Sequence, residues 1–175
     1  MKTIKELRCL LDFNPHELSS ALKYFCKQQI DWDVYLKTKG KCLQRPFVWT
    51  LDQKRELINS MLIGRHIPHC AIVNIVDPKN DNKDILQIID GKQRLSTMVD
   101  FYKNIFTIII DKKEYYYKDL PEDYRLAIEH FHFRYYVVNE PFGNPMTDQQ
   151  KINWFTFINF AGTPQDKEHL NSLTK

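Results

Sequence analysis

Across Ile88-Ile89-Asp90-Gly91-Lys92-Gln93-Arg94-Leu95-Ser96-Thr97 an apolar run stops at an acid, crosses one glycine and resumes with helical spacing. A strand repeats every two residues and a helix every 3.6, so the backbone must change conformation here. The pattern predicts a strand over Ile85–Ile89, a turn over Asp90–Arg94 and a helix over Leu95–Lys103, with Leu95, Met98, Val99 and Tyr102 on one face. Backbone N–H groups at a helix start lack intrahelical acceptors and, with the helix dipole, favour an anion. Gly91 allows a phosphate close to the main chain, while Lys92 and Arg94 add charge. An arginine engages phosphate oxygens through two parallel hydrogen bonds. A strand–helix turn carrying solvated charges accounts for the same residues, and both accounts stay open on sequence.

The surrounding chain reads as alternating short elements. Asn14-Pro15-His16-Glu17 has the form of a helix start, followed by an apolar face of Leu18, Ala21, Leu22 and Phe25. Ile30, Trp32, Val34 and Leu36 then alternate with polar residues or Tyr35, as in a half-buried strand. Thr50 with Gln53 forms a capping box ahead of a helix carrying Leu51, Leu57, Ile58, Met61 and Leu62, and Gly64 ends it. Cys70–Val76 is a strand expected to precede the polar loop 77–84. Phe106–Ile110 and Glu114–Tyr117 suggest a hairpin across Asp111-Lys112-Lys113. A short helix near Pro121, a strand over Phe133–Val138 and helices over Thr147 to about Asn159 and Pro164 to about Leu173 complete the expectation. Strands and helices without regular βαβ alternation argue for an α+β fold, and the absence of an internal linker for a single domain over residues 1–175.

Composition narrows the function classes. The chain has 175 residues, enough for one domain with a real core. Its formal charge is only +3, so nucleic-acid contact must come from a local patch rather than from the whole-molecule field. Cys9, Cys26, Cys42 and Cys70 form no C-x-x-C pair and have no histidine at metal-ligand spacing, which predicts free thiols in a reducing cytoplasm and no bound metal. The start lacks the apolar stretch of a signal peptide, and no run reaches membrane-spanning length, so no membrane is expected.

Two further stretches carry polar groups at turns. In Leu43-Gln44-Arg45-Pro46-Phe47-Val48-Trp49 the aromatics suit a plug over a core edge, with Gln44 and Arg45 available to a ligand. In Ile158-Asn159-Phe160-Ala161-Gly162-Thr163-Pro164-Gln165, helix termination explains Gly162 and Thr163, and Asn159 is a candidate contact. His130, His132 and Arg134 share one face of an extended strand, which either lines a pocket or is simply half exposed. His66 and His69, flanking Ile67-Pro68, do not have the pattern of metal ligands.

Taken together, these stretches resemble the N-terminal domain of GmrSD-type restriction endonucleases, also found in phosphorothioate-sensing defence proteins of the SspE type. The motifs are Gln44-Arg45-Pro46-Phe47-Val48-Trp49, then Gly64-Arg65-His66-Ile67-Pro68, then Ile89-Asp90-Gly91-Lys92-Gln93-Arg94-Leu95-Ser96-Thr97, then Asn159-Phe160-Ala161-Gly162. Their order and spacing span most of the chain. The resemblance implies a ParB/sulfiredoxin-like mixed sheet with flanking helices and a C-terminal helical part. It implies binding of a nucleoside triphosphate (NTP) with Mg²⁺, and NTP hydrolysis that controls DNA cleavage by an HNH nuclease domain. Carried onto this sequence, Asp90, Gln93 and Arg94 form the catalytic set, and Gln44, Arg45, Trp49, Gly91, Lys92, Thr97 and Asn159 the NTP contacts.

Lys92 stands where the family pattern has glutamine, which keeps a charge for phosphate but loses an amide's double capacity. Nothing after Gly162 resembles an HNH nuclease, so the chain is not expected to cut DNA alone. The expected function is an NTP-binding regulatory domain of a restriction, anti-phage or counter-defence system. Its expected partners are a nucleotide, and DNA or a separate nuclease or defence subunit. The alternative is a non-catalytic module that senses or sequesters a nucleotide or modified DNA, or inhibits a homologous defence protein.

Overall fold

The computed structural model describes residues 15–75, 84–140 and 145–160. Its centre is a five-stranded mixed sheet made from β1 (Pro15–Glu17), β2 (Gln29–Asp31), β5 (Cys70–Ile75), β6 (Ile85–Asp90) and β9 (His132–Glu140), in the order β1-β9-β5-β6-β2. β5 runs antiparallel to β6 and parallel to β9; β2 joins β6 in parallel, and β1 joins β9 antiparallel. Two small hairpins stand apart, β3 (Tyr35–Leu36) with β4 (Lys41–Cys42) and β7 (Ile108–Ile110) with β8 (Lys113–Tyr115). The helices are α1 (Leu18–Phe25), α2 (Leu51–Leu62), α3 (Lys92–Tyr102), α4 (Glu122–Glu129) and α5 (Asp148–Phe160). The molecule is α+β, as its irregular alternation of elements predicts.

Both faces of the central strands are covered. Cys70 and Ile72 of β5 pack with Leu86 and Ile88 of β6 against apolar residues of α1 to α4. Ala71 and Val73 point the other way with Ile89, into a second cluster holding Phe155 of α5 and Leu36 of β3. Burial on two sides is why β5 reads as a continuous apolar run rather than an alternating one. Phe25, Phe101, Phe133 and Phe155 are fully buried. Each such side chain contributes roughly 1.5–3 kcal/mol by leaving water. On the second face Lys151 Nζ donates to Gln87 Oε1 at 2.6 Å, and Thr38 ties the β3–β4 hairpin to Asp148 of α5 through N and Oγ1, at 2.8 and 3.0 Å.

Local chemistry explains most boundaries. The Thr50–Gln53 capping box is present in both directions at the start of α2, and Gly64 follows its end with a φ of 71°. Thr147 and Gln150 make a second reciprocal box ahead of α5. Asp111 and Lys112 both take positive φ, so the β7–β8 connection is a two-residue turn whose twist suits a hairpin. β8 therefore spans Lys113–Tyr115 rather than Glu114–Tyr117, and Tyr117–Asp119 forms a 3-10 turn.

Three further expectations are corrected. Pro15–Glu17 is not the first turn of a helix: it pairs with β9, an edge position where a proline's missing N–H costs no ladder bond, and α1 begins at Leu18. Residues 30–36 are not one strand. Ile30 and Trp32 pack against the first cluster but Val34 and Leu36 lie in the second, so the chain bends at Trp32–Asp33 to change faces. Finally, α3 starts at Lys92, directly after Gly91, so Lys92, Gln93 and Arg94 form its first turn. The predicted helix over Pro164–Leu173, with Asn14 and the Gly162–Thr163 turn, lies outside the described residues. No helix among the described residues is long and apolar enough to cross a membrane.

Candidate functional site

β6 ends at Asp90 and α3 begins at Lys92, so Gly91 alone makes the turn, with a φ of 89°. A Cβ added here would lie 2.2 Å from the Cys70 sulfur and 2.9 Å from the Cys70 Cβ. Glycine is therefore required by the packing of the turn on the start of β5 and by its left-handed backbone. Two glutamines clamp the 44–49 loop over this turn. Gln44 Nε2 donates to the Ile88 carbonyl at 2.6 Å, and its Oε1 accepts from the Lys92 N–H at 3.4 Å. Gln93 Oε1 accepts from the N–H groups of Val48 and Trp49 at 3.1 and 3.3 Å, while its Nε2 donates to the Pro46 carbonyl at 3.0 Å. Both amides are thus engaged within the protein.

The two cations of the turn part company. Lys92, only 5% exposed, forms an ion pair with Asp33 and reaches the Arg45 carbonyl at 3.5 Å. Arg94 turns toward the start of β5, where Nη2 donates to Asp90 Oδ2 at 2.8 Å and to the His69 carbonyl at 3.0 Å. Asp90 itself is buried. Burial alone would pull the Arg94 guanidinium down, but Cys70 and Asp90 outweigh it and hold the charge more firmly than usual. Burial pushes the Cys70 thiol up to about 11, with Arg94 pulling partly the other way. Cys26, Cys42 and Cys70 are all free thiols.

Beside α3 opens a cleft of about 510 Å³. Lys92, Ser96, Asp100 and Lys103 line it from the helix, at successive turns of one face. Trp32 and Asp33 line it from the bend after β2, and Pro46 and Phe47 from the clamped loop. Asp100 also pairs with Lys54 at 2.9 Å, and the Lys54 ammonium sits 4.7 Å from the Phe47 ring centre. Besides the fully buried Phe25, the cleft thus offers the rings of Trp32 and Phe47, the carboxylates of Asp33 and Asp100, the Ser96 hydroxyl and two lysines.

Of the residues singled out in the sequence, Gln44, Asp90, Gly91, Lys92, Gln93 and Arg94 meet around the turn. Trp49 packs against the first core cluster, whereas the Arg45 side chain is exposed and Arg45 is not among the residues that line the cleft. Thr97 is fully buried, and its hydroxyl donates to the Gln93 carbonyl within α3. Asn159 sits on α5, where its amide donates to the Phe155 carbonyl one turn back. Trp32, Asp33, Ser96, Asp100 and Lys103 escaped the sequence analysis as site residues. The spacing of Ser96, Asp100 and Lys103 from Lys92 was the available signal, whereas nothing local marks the bend that delivers Trp32 and Asp33.

No curated protein and no solved structure matches the chain. The family model for the GmrSD restriction endonuclease N-terminal domain matches residues 42–173, which includes the clamped loop, the turn and α3. With that match spanning most of its length, the chain belongs to the family of GmrSD restriction endonuclease N-terminal domains.

Proposed function

We propose that the cleft beside α3 binds a nucleoside triphosphate and that this domain serves as the nucleotide-responsive part of a restriction or counter-defence system. The supporting observation is the mixture of groups lining one recess. Trp32 and Phe47 supply faces for a base, Lys92, Ser96 and Lys103 supply donors for phosphates, and Asp33 and Asp100 supply carboxylates. Mg²⁺ is usually held by one or two carboxylates together with the phosphates it accompanies, and this donor set fits that pattern. Lys92 rather than Arg94 is the cation of the turn that faces the recess. Asp90, Gln93 and Arg94 act by positioning: they fix the turn, the loop and the helix start from which the contacts project.

Hydrolysis is the finer part of the proposal. Mg²⁺ held by Asp33 and Asp100 would polarise the phosphates, while Lys92, Ser96 and Lys103 would orient the triphosphate and neutralise its charge. The Lys92–Asp33 ion pair favours a second outcome, binding without turnover, because it occupies a carboxylate that the metal would use. The test offers ATP, GTP, CTP and UTP to the purified protein with and without Mg²⁺, reading thermal shift and phosphate release. A shift with one or more nucleotides supports the binding site, and release that needs Mg²⁺ supports turnover. Absence of both with all four nucleotides overturns the proposal.

A further inference from the structure

A second recess, of about 540 Å³, lies on the Arg94 side of the turn and differs in chemistry from the first. Arg65, His66 and His69 reach it from the α2–β5 connection, His130 from the end of α4, and His132 and Arg134 from β9. Among the described residues, no carboxylate lines it. β9 alternates here, with Phe133 and Tyr135 turned into the core and His132 and Arg134 left exposed. That is how two segments distant in sequence, 65–69 and 130–134, present basic groups to one space.

We propose that this groove binds the phosphodiester backbone of duplex DNA, with histidine protonation raising its affinity. Charge and donor type carry the inference. Arginine suits a phosphate oxyanion by its planar fork of donors, and histidine adds a donor pair and a charge as the pH falls. A triphosphate with its Mg²⁺ needs carboxylates, which the α3 cleft has and the groove lacks; a phosphodiester needs only cationic donors. A metal centre is the competing use of four histidines. Among the described residues, however, no three of His, Cys, Asp or Glu converge on a point where a metal could sit.

The neighbouring groups set the charge balance. Glu56 of α2 pairs with Arg65 at 3.4 Å and Glu17 with His130 at 3.1 Å, both exposed rim contacts that water screens and phosphates can replace. His66 meets His69 edge to face at 5.7 Å, and His69 meets Tyr136 at 5.3 Å. Behind His69 lie Arg94 and its partner Asp90. Burial, then His66, Arg134 and Arg94, hold His69 below the usual histidine range, so neighbouring cationic groups add to the effect of burial at the groove floor. A bound phosphate relieves that field and favours its protonation. Through the His69 carbonyl, the groove is also tied directly to Arg94 and the turn.

The test is fluorescence anisotropy of a labelled duplex of about 20 base pairs with the intact chain, titrated with salt at about pH 5.5 and about pH 8. Binding should be tighter at the lower pH and fall with salt. Arg65→Gln with Arg134→Gln should flatten the log–log salt slope by roughly 1.8, about 0.9 per lost phosphate contact. That corresponds to roughly tenfold less sensitivity between about 50 and 200 mM salt. His66→Gln with His132→Gln changes two exposed side chains, leaves His69 and His130 in place, and should weaken the pH dependence without lowering Tm. Lys112→Ala, on the β7–β8 turn, serves as a surface-charge control and should leave binding as in the parent. A salt slope unchanged in a folded double-arginine variant, or an affinity independent of pH, overturns the proposal. So does displacement of the duplex by an Mg²⁺–nucleotide, which would make the two recesses one site. Loss of nucleotide binding with duplex binding intact would instead overturn the function proposed for the α3 cleft and leave the groove standing.

Discussion

An alanine at position 91 would force its Cβ to 2.2 Å from the Cys70 sulfur on a backbone whose φ is 89°. The clash and the left-handed conformation act together, so Gly91→Ala should lose on the order of 3 kcal/mol or more of folding stability. Urea denaturation measures this, and a loss below about 1 kcal/mol would contradict the close packing of turn and strand. The same contact has a pH signature. The buried Cys70 thiol is held up at about 11 against an ordinary value of 9.0. Above about pH 9 the unfolded chain releases the thiol proton while the folded chain keeps it, so the unfolded state binds fewer protons and stability falls as pH rises. This contribution is intact below the unfolded value and is lost by the time the pH passes about 11. Denaturation at about pH 8 and about pH 10.5 should show the decline, and Cys70→Ala should make it shallower.

At the scale of elements, one side chain, Gln93, makes three of the hydrogen bonds that clamp the 44–49 loop onto α3. Gln93→Ala should free the amides of Val48 and Trp49 to exchange faster, with the β5 and β6 amides unchanged, and should cost roughly 1–3 kcal/mol. Gln93→Glu keeps the acceptor oxygen and loses the donor to Pro46, so it should retain the protection of Val48 and Trp49. Exchange rates at those two amides that ignore both substitutions would remove the clamp. Such elements were unevenly legible in the sequence. The strand–Gly–helix junction and the Thr50–Gln53 box are local, because the residues that cause them are adjacent. The bend at Trp32–Asp33 is not: the period-two pattern of Ile30 to Leu36 continues unbroken while the chain crosses between two cores. Whether Gln44 and Gln93 face a ligand or a backbone likewise depends on where a segment more than 40 positions away comes to rest, and the histidine groove depends on a similar meeting of residues 65–69 with 130–134.

At the scale of the whole molecule, the Asp90–Arg94–His69 link joins the end of β6, the first turn of α3 and the residue that precedes β5. It stands between the two recesses, so its role decides whether Arg94 belongs to a ligand or to the fold. The structure commits both of its observed bonds to the protein, and Asp90 has 8% of its side chain exposed. Removing the guanidinium would leave that carboxylate buried without its charged partner, a change that costs roughly 3–5 kcal/mol where an ion pair is fully buried and less where water reaches it. Arg94→Ala should therefore lower the ligand-free Tm markedly, and Arg94→Lys should recover part of the loss by restoring charge without the two-pronged geometry. Nucleotide affinity of the folded Arg94→Ala protein should change by less than about 1 kcal/mol, because Lys92 and Lys103, not Arg94, line the α3 cleft. Calorimetric titration below the variant's unfolding temperature separates the two quantities. An unchanged Tm together with an affinity loss of roughly 1.5–3 kcal/mol, the range for a hydrogen bond to a charged group, would return Arg94 to the role of phosphate ligand. The turn would then have to open on binding, with the phosphate replacing Asp90 as the partner of the guanidinium.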